Sequence, residues 1–216
     1  SGEITWLEMI DYVAKKNIPI IMATGDASLS EIDEAVNTIR NANNNKLVLL
    51  QCIKNYPSQI ESANINVLKT YQTAFNVLTG YSDHSPGDIV ILGSIALGGC
   101  VVEKHFTLDK KDKGPDHPHS LDVKEFSKMV KNIRLMETAL GSSKKDVVEE
   151  EYETVTVQRR GLYAANDIMS GEKITENDIE VLRPALGILP KYKGIVVGKT
   201  AKLNISKGEP IYWENL

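Results

Sequence analysis

The sequence predicts an α/β protein with a parallel β-sheet, followed by a smaller β-rich domain. Short, continuous apolar segments alternate with segments whose apolar residues recur at helical spacing, which is typical of a parallel sheet covered on both faces. A charged segment, 141–151, separates this alternation from a glycine-punctuated region with an internal repeat. On these patterns alone, a doubly wound sheet and a (β/α) barrel both remain open.

The predicted elements alternate regularly along the first part of the chain. Apolar runs bounded by turn residues are taken as buried strands, and apolar residues at positions i, i+3 and i+4 as helices. In chain order the elements are helix 5–16, strand 18–23, a helix that begins at the capping box Ser28–Glu31, strand 47–52, helix 63–75, strand 77–81, helix 86–97, strand 100–102 and helix 126–140.

The region from Thr154 to Leu216 contains the repeat. The segment 168–174, IMSGEKI, recurs 37 residues later as 205–211, ISKGEPI. Two similar half-units that repeat after 37 residues predict a small pseudo-symmetric β domain of about 60 residues.

Composition and charge exclude several classes of protein. Hydrophobic residues make up 42% of the chain, charged residues 25%, and the net charge is -4, as in ordinary folded domains. This balance offers no basic surface, so we expect no nucleic-acid partner. The longest near-apolar segment, 89–102, is too short to span a bilayer, so we expect no membrane partner. The two cysteines, Cys52 and Cys100, lie in apolar runs, which favours a cytoplasmic location.

Polar residues gather where the four predicted strands end, and ligands bind at this edge in parallel α/β folds. His84 and His105 follow consecutive strands at equivalent positions. Their imidazoles are therefore expected to lie close enough to bind a divalent metal ion. The alternative is that each is an ordinary polar loop residue.

A third polar loop, 114–120, contains two prolines and Asp116, a carboxylate that can orient a hydroxyl group or a water molecule. The alternative is a solvated turn. The sequence has no GxGxxG, P-loop or CxxC motif, which argues against a dinucleotide enzyme, an NTPase and a zinc ribbon, and it has no GxSxG motif.

Four stretches together resemble the sialic acid synthase family, which includes N-acetylneuraminate, legionaminic acid and pseudaminic acid synthases. They are GYSDHSPGD, GGCVVEKHFTLDKKDKGPDHPHSLD, VQRRGLYAANDIMSGEKI and IEVLRPALGI. The resemblance implies strands five to eight of a (β/α)8 TIM barrel, followed by an antifreeze-like SAF (β-clip) domain. The implied bounds are 1–141 for the half-barrel, 142–154 for a linker and 155–216 for the SAF domain.

The resemblance also implies a reaction. Phosphoenolpyruvate condenses with an N-acylated sugar aldehyde, such as N-acetylmannosamine, to give a nine-carbon 2-keto acid and phosphate. It implies a divalent metal, usually Mn²⁺, with Mg²⁺ or Co²⁺ as alternatives. It further implies a homodimer in which each SAF domain covers the partner's barrel mouth.

Site residues follow from the same resemblance, position by position. They are His84 and His105 as metal ligands; Ser1, Ser82 and either Lys54 or Asn55 as phosphate contacts; Glu3 as a carboxylate at the edge of the active site; Tyr56 and Asp116 as sugar contacts, with Asp116 also a candidate general base; and Arg183 as the arginine that holds the N-acyl group in the partner's active site.

Two other functions remain open on the sequence. One is a non-catalytic module that binds carbohydrate or protein, and the other is a metal-dependent aldolase or hydrolase on a similar half-barrel. Because the family's first four strands have no counterpart in these residues, we expect residues 1–216 alone to be inactive.

Overall fold

Four parallel strands and the helices packed on them occupy the first 142 residues in a computed structural model, which describes residues 1–216. The chain divides into two units, Ser1–Ser142 and Ser143–Leu216. The elements of the first unit are α1 (Leu7–Ala14), β1 (Ile20–Ala23), α2 (Leu29–Asn41), β2 (Leu47–Cys52), α3 (Val67–Phe75), β3 (Leu78–Asp83), α4 (Ile89–Ala96), β4 (Val101–Lys104) and α5 (Val123–Leu140), with 3-10 turns at Ile60–Ser62 and His117–His119.

The strands form one sheet in the order β1-β2-β3-β4, and each neighbouring pair is parallel. The order follows the chain without a reversal, whereas a doubly wound sheet reverses its order at the point where ligands bind. This is the arrangement of half a (β/α) barrel, so the predicted fold class is confirmed. All four strands end at the same edge, which gathers the residues that follow them.

Two clusters of buried side chains attach the helices to the sheet. One joins β1 and β2 to α1, α2 and α3, and includes Ile32, Leu49 and Phe75. The other joins β3 to α4 and α5, and includes Tyr81 and Ile91. Burying one large apolar side chain stabilises the fold by roughly 1.5–3 kcal/mol. The two clusters therefore hold the strand ends, and the loops beyond them, in fixed positions.

Gly80 allows β3 and β4 to approach closely. It is paired with Val101, and a Cβ atom at Gly80 would lie 2.1 Å from the Val101 carbonyl oxygen. No side chain fits at that distance, so the spacing of β3 and β4 depends on this glycine.

Most predicted bounds agree with the structure to within a few residues, and the capping box is confirmed. The Ser28 hydroxyl accepts a hydrogen bond from the Glu31 backbone N–H, while the Glu31 carboxylate accepts one from the Ser28 backbone N–H. The helix predicted at 63–75 begins only at Val67, because Asn64 has a left-handed φ of 48° that interrupts a helix.

The second unit contains α6 (Tyr152–Gln158), β5 (Gly161–Ala164), β6 (Ile179–Leu182) and α7 (Lys193–Val196), with 3-10 turns at Glu149–Glu151, Glu176–Asp178, Pro190–Tyr192 and Trp213–Asn215. β5 and β6 are antiparallel. The β-like region was predicted to begin at Thr154, but a helix covers that position. Three glutamates precede this helix, and negative charge stabilises a helix at its N-terminal end.

The two copies of the repeat form equivalent turns. In each copy the glutamate accepts a hydrogen bond from the backbone N–H three residues before it, at 2.8 Å in both. Ile168 and Ile205 exchange two backbone hydrogen bonds, each 2.9 Å long. The predicted pseudo-symmetry is thus present, with this isoleucine pair where the two halves meet.

None of the helices in the structure combines the length and apolar character that crossing a membrane requires.

Candidate active site

His84 and His105 lie side by side at the carboxyl end of the sheet. Asp83 and Lys104, the last residues of β3 and β4, are register partners, so the two histidines are the next residues along adjacent strands. Their ring centroids are 5.1 Å apart and the rings are nearly perpendicular. The structure therefore brings together the two residues that the sequence paired.

The His84 ring is oriented by the loop after β2. Its Nδ1 lies 2.8 Å from the Ile53 carbonyl oxygen, which can only accept a hydrogen bond. Nδ1 therefore carries the proton, and in the neutral ring Nε2 keeps its lone pair free for a ligand. His84 is buried, and the Cys52 thiol lies 3.9 Å from the same nitrogen.

His105 is held in its neutral form by its surroundings. Burial is the main cause that lowers its pKa, and the neighbouring His84 lowers it further, while Asp116 opposes the shift. The His105 Nδ1 and an Asp116 carboxylate oxygen are 3.9 Å apart. A neutral imidazole next to a carboxylate is a competent metal ligand at neutral pH.

Tyr56 covers the histidine pair. Its ring centroid lies 4.2 Å from that of His84 and 5.4 Å from that of His105. The Ser58 backbone N–H donates to the His84 carbonyl oxygen at 3.0 Å, which ties this loop to the end of β3. Burial raises the pKa of Tyr56, a half-exposed residue, so its hydroxyl keeps its proton and is available as a donor.

Ser82 and Glu103 form a second register pair between β3 and β4, one residue before Asp83 and Lys104. The buried Ser82 hydroxyl donates to the Glu103 carboxylate at 2.6 Å. Successive side chains of a strand alternate between its faces, so this pair lies on the opposite face from Asp83 and Lys104.

A buried ion pair fixes the other face of these strands. The Lys104 ammonium lies 2.7 Å from an Asp83 carboxylate oxygen, and the two side chains are 2% and 1% exposed. The other Asp83 oxygen accepts from the backbone N–H and the hydroxyl of Ser85, at 2.8 and 2.7 Å. Lys104 also donates to the Ser85 carbonyl oxygen. The pair thus joins β3 to β4 immediately before the two histidines.

The predicted phosphate contacts Ser1 and Lys54 lie together near the ends of β1 and β2, where both side chains approach Gly25. Lys54 forms an ion pair with Asp26 at 2.9 Å, and this hydrogen bond raises the Lys54 pKa. Lys54 is therefore charged at neutral pH. Glu3 and Ser1 line an apolar cavity of about 280 Å³ against β1. Asn55 is exposed.

Comparison with known proteins places this chain in a family. Residues 1–145 match the NeuB family, and residues 159–216 match the SAF domain. The chain belongs to the NeuB family. The family and the appended SAF domain that the four sequence stretches indicate are both confirmed.

Several relatives of this NeuB-family chain are named synthases. N,N'-diacetyllegionaminic acid synthase of Legionella pneumophila is 36% identical over 220 residues, covering 100% of this chain and 62% of that protein. Pseudaminic acid synthase of Helicobacter pylori is 35% identical over 211 residues, covering 98% of this chain and 62% of that protein. The chain thus spans about three fifths of the length of these curated relatives.

A solved structure shares the fold. The crystal structure of N-acetylneuraminic acid (sialic acid) synthetase from Leptospira borgpetersenii is similar with a TM-score of 0.66 and 30% sequence identity, covering 71% of this chain and 54% of that chain.

Arg183 lies in the SAF domain of this NeuB-family chain, directly after β6. Its Nε donates to the Gln158 carbonyl oxygen at 2.6 Å, and its side chain is exposed. The carbonyl occupies only one of the guanidinium donors, so the remaining N–H groups are available to an acceptor.

Three residues of this site have no individual role predicted from the sequence: Glu103, Lys104 and His119. His105, Asp116 and His119 form a group whose donor atoms all lie within 4.8 Å of one another, so they could hold a metal ion. The sequence feature that could have indicated His119 as a site residue is its position three residues after Asp116 in a proline-containing turn.

Proposed function

We propose that this chain is part of a metal-assisted synthase that condenses phosphoenolpyruvate with an N-acylated sugar aldehyde, giving a nine-carbon 2-keto sugar acid and phosphate. The observation that carries the proposal is the pairing of His84 and His105 at the ends of adjacent strands, with 5.1 Å between ring centroids, in a NeuB-family chain. Relatives named for legionaminic and pseudaminic acid synthesis support it.

We assign His84, His105 and the Asp116 carboxylate to a divalent ion; His105 and Asp116 belong to the group whose donor atoms lie within 4.8 Å of one another, and His84 does not. His84 offers Nε2, since its Nδ1 is bonded to a carbonyl, and His105 is held neutral beside the Asp116 carboxylate. A mixed set of imidazoles and a carboxylate suits Mn²⁺ or Co²⁺ better than Mg²⁺, which prefers oxygen ligands. When bound, such an ion polarises the aldehyde oxygen of the sugar.

Tyr56 and Asp116 are the groups we assign to the sugar side. The protonated Tyr56 hydroxyl donates a hydrogen bond to the sugar, and its ring excludes water from the histidine pair. The exposed Asp116 carboxylate accepts from a sugar hydroxyl or from the attacking water. We assign the Glu3 carboxylate to the edge of the same site.

The phosphate group of phosphoenolpyruvate needs hydrogen-bond donors throughout the reaction. Lys54, charged at neutral pH, and Ser1 near it are the donors that we assign, with Asn55 as the alternative to Lys54. We also assign Ser82, whose one hydroxyl proton must turn from the Glu103 carboxylate, 2.6 Å away, to the phosphate.

In the proposed sequence the C2–C3 double bond of phosphoenolpyruvate supplies the electron pair that bonds C3 to the aldehyde carbon, while the aldehyde oxygen receives the C=O π pair and takes up a proton. Water adds at the electron-poor C2 and passes one proton to Asp116. The C2–O bond then breaks, the bridging oxygen leaves with the phosphate, and the new C2 hydroxyl loses its proton to become the keto group.

The SAF domain supplies a contact in trans in this proposal. The exposed Arg183 guanidinium donates to the N-acyl carbonyl of a sugar bound in the partner's barrel, within a homodimer located in the cytoplasm. The planar fork of an arginine suits an amide oxygen better than the ammonium of a lysine does.

A phosphate-release assay tests the proposed function on the full-length protein. Phosphoenolpyruvate is supplied with N-acetylmannosamine, with its diacetamido 6-deoxy analogue, or with the altropyranose precursor of pseudaminic acid, each with Mn²⁺. We expect release with one aldehyde, loss of release in His84→Ala/His105→Ala, and little release from residues 1–216 alone, because β1 and β4 are open edge strands. Product formation with pyruvate in place of phosphoenolpyruvate would favour an aldolase, and sugar binding without turnover would favour a binding module.

A further inference from the structure

We propose that His119 is a further ligand of the metal ion, so that His105, Asp116 and His119 form one three-donor face of the site. This inference rests on the proposed function only in placing a metal here. It adds an imidazole from the loop after β4 to the pair at the strand ends.

The distances within this group suit an ion better than they suit direct hydrogen bonds. The His119 Nε2 lies 3.9 Å from one Asp116 oxygen, and the His105 Nδ1 lies 3.9 Å from the other. Both separations exceed the hydrogen-bond range. Two donors that each lie about 2.1 Å from one ion are roughly 3–4 Å apart, so an ion could bridge each of these pairs. The whole group, spread over at most 4.8 Å, needs to contract only slightly to share one ion.

The His119 Nε2 is the one buried side-chain nitrogen or oxygen in the structure that has no hydrogen-bond partner. The side chain is 11% exposed, and this nitrogen has almost no contact with solvent. Leaving a buried polar atom unpaired costs about 1–3 kcal/mol, so such atoms nearly always have a partner. A metal ion between His119 and Asp116 would provide one.

The loop that carries His119 is tied to the end of β4. Leu121 donates its backbone N–H to the His105 carbonyl oxygen at 2.9 Å, and the Ser120 hydroxyl donates to the Asp116 carbonyl oxygen at 2.7 Å. The His119 ring centroid lies 5.1 Å from that of His105 and 6.1 Å from that of Tyr56. The ring is therefore part of the same aromatic cluster as the strand-end histidines.

His117, in the same 3-10 turn, provides a matched control. Its Nδ1 is 2.7 Å from the Thr107 hydroxyl, so it already has a partner, and it is not a member of the three-donor group. Removing His117 tests the general effect of losing an imidazole from this turn without removing a proposed ligand.

The test measures the affinity of the 216-residue chain for Mn²⁺. Electron paramagnetic resonance reports the concentration of the free ion in each titration. We expect His119→Ala to weaken Mn²⁺ affinity by at least roughly 10–100-fold, the loss typical when a group that only supports a ligand is removed. His117→Ala should change the affinity less than 3-fold. Pulsed electron paramagnetic resonance on protein with ¹⁵N-labelled histidine should show one fewer imidazole nitrogen coupled to Mn²⁺ in the His119 variant than in the wild type.

The outcomes separate this inference from the proposed function. Unchanged Mn²⁺ affinity and unchanged imidazole coupling in folded His119→Ala, or an equal loss in His117→Ala, would overturn the inference even if the full-length protein is active. Lower affinity in the His119 variant alone would support it even if no phosphate is released. His119→Gln, which retains a polar side chain, replaces the alanine variant if circular dichroism shows that the latter is unfolded.

Discussion

Replacing Lys104 with methionine is expected to destabilise the first unit strongly. The substitution removes the ammonium but leaves the Asp83 carboxylate buried, with 1% of its side chain exposed and only the Ser85 donors as partners. Breaking a buried ion pair by removing one member costs about 3–5 kcal/mol, because the remaining charge is left uncompensated. We therefore expect Lys104→Met to lower the free energy of unfolding by about that amount.

Urea unfolding measures this loss, with fluorescence as the signal. The chain has two tryptophans, Trp6 in the first unit and Trp213 in the second, so a Trp213→Phe background reports the first unit alone. A double-mutant cycle with Asp83→Asn isolates the coupling between the two side chains. The double variant should lose less than the sum of the two single variants.

An exposed ion pair supplies the control for this experiment. Lys15 and Asp11 are 2.5 Å apart, with 66% and 39% of their side chains exposed, and such pairs contribute roughly 0–1 kcal/mol. Lys15→Met should therefore have a small effect. A loss in Lys104→Met no larger than that in Lys15→Met, or strictly additive effects in the cycle, would refute the reasoning.

Three further predictions concern the strand spacing, pH and the SAF domain. Gly80→Ala should lower the free energy of unfolding, measured in urea titrations, by about 1–3 kcal/mol or more. The reason is that the alanine methyl group would collide with the Val101 carbonyl oxygen. The pKa of His105 in the folded chain is below its ordinary value of about 6.5, so the unfolded chain takes up this proton at a higher pH than the folded chain does. The free energy of unfolding should therefore be lower at pH 5.5 than at pH 7.5. The difference between the two pH values should be smaller in His105→Gln. Full-length Arg183→Ala subunits mixed with His84→Ala/His105→Ala subunits should recover some phosphate release in heterodimers, and no recovery in verified heterodimers would contradict the role in trans.

Much of the fold could be predicted because it depends on local patterns. Continuous apolar runs mark β1 and β2, and the capping box at Ser28 marks the start of α2. The end of β3 was predicted two residues early, since Ser82 and Asp83 are polar. Their side chains are buried because they pair with Glu103 and Lys104 on β4, and an apolar pattern cannot reveal such partners.

The site could be predicted only where chain order already places residues together. His84 and His105 follow neighbouring strands, so the sheet brings them into contact. His119 joins them because the turn after Asp116 folds back toward β4, and that path depends on the backbone hydrogen bonds of Leu121 rather than on any motif. The helix α6 was missed because three consecutive glutamates read as a solvated linker.

The most direct test of the central claim follows the oxygen that bridges C2 and phosphorus in phosphoenolpyruvate. The full-length protein is stripped of metal, resupplied with Mn²⁺, and given the best aldehyde together with phosphoenolpyruvate that carries ¹⁸O at this position. We predict that the label leaves with the phosphate, that one nine-carbon keto acid forms per phosphate released, and that both depend on the aldehyde and on His84 and His105. Label retained in pyruvate, or phosphate released at the same rate without an aldehyde, would contradict the proposed condensation.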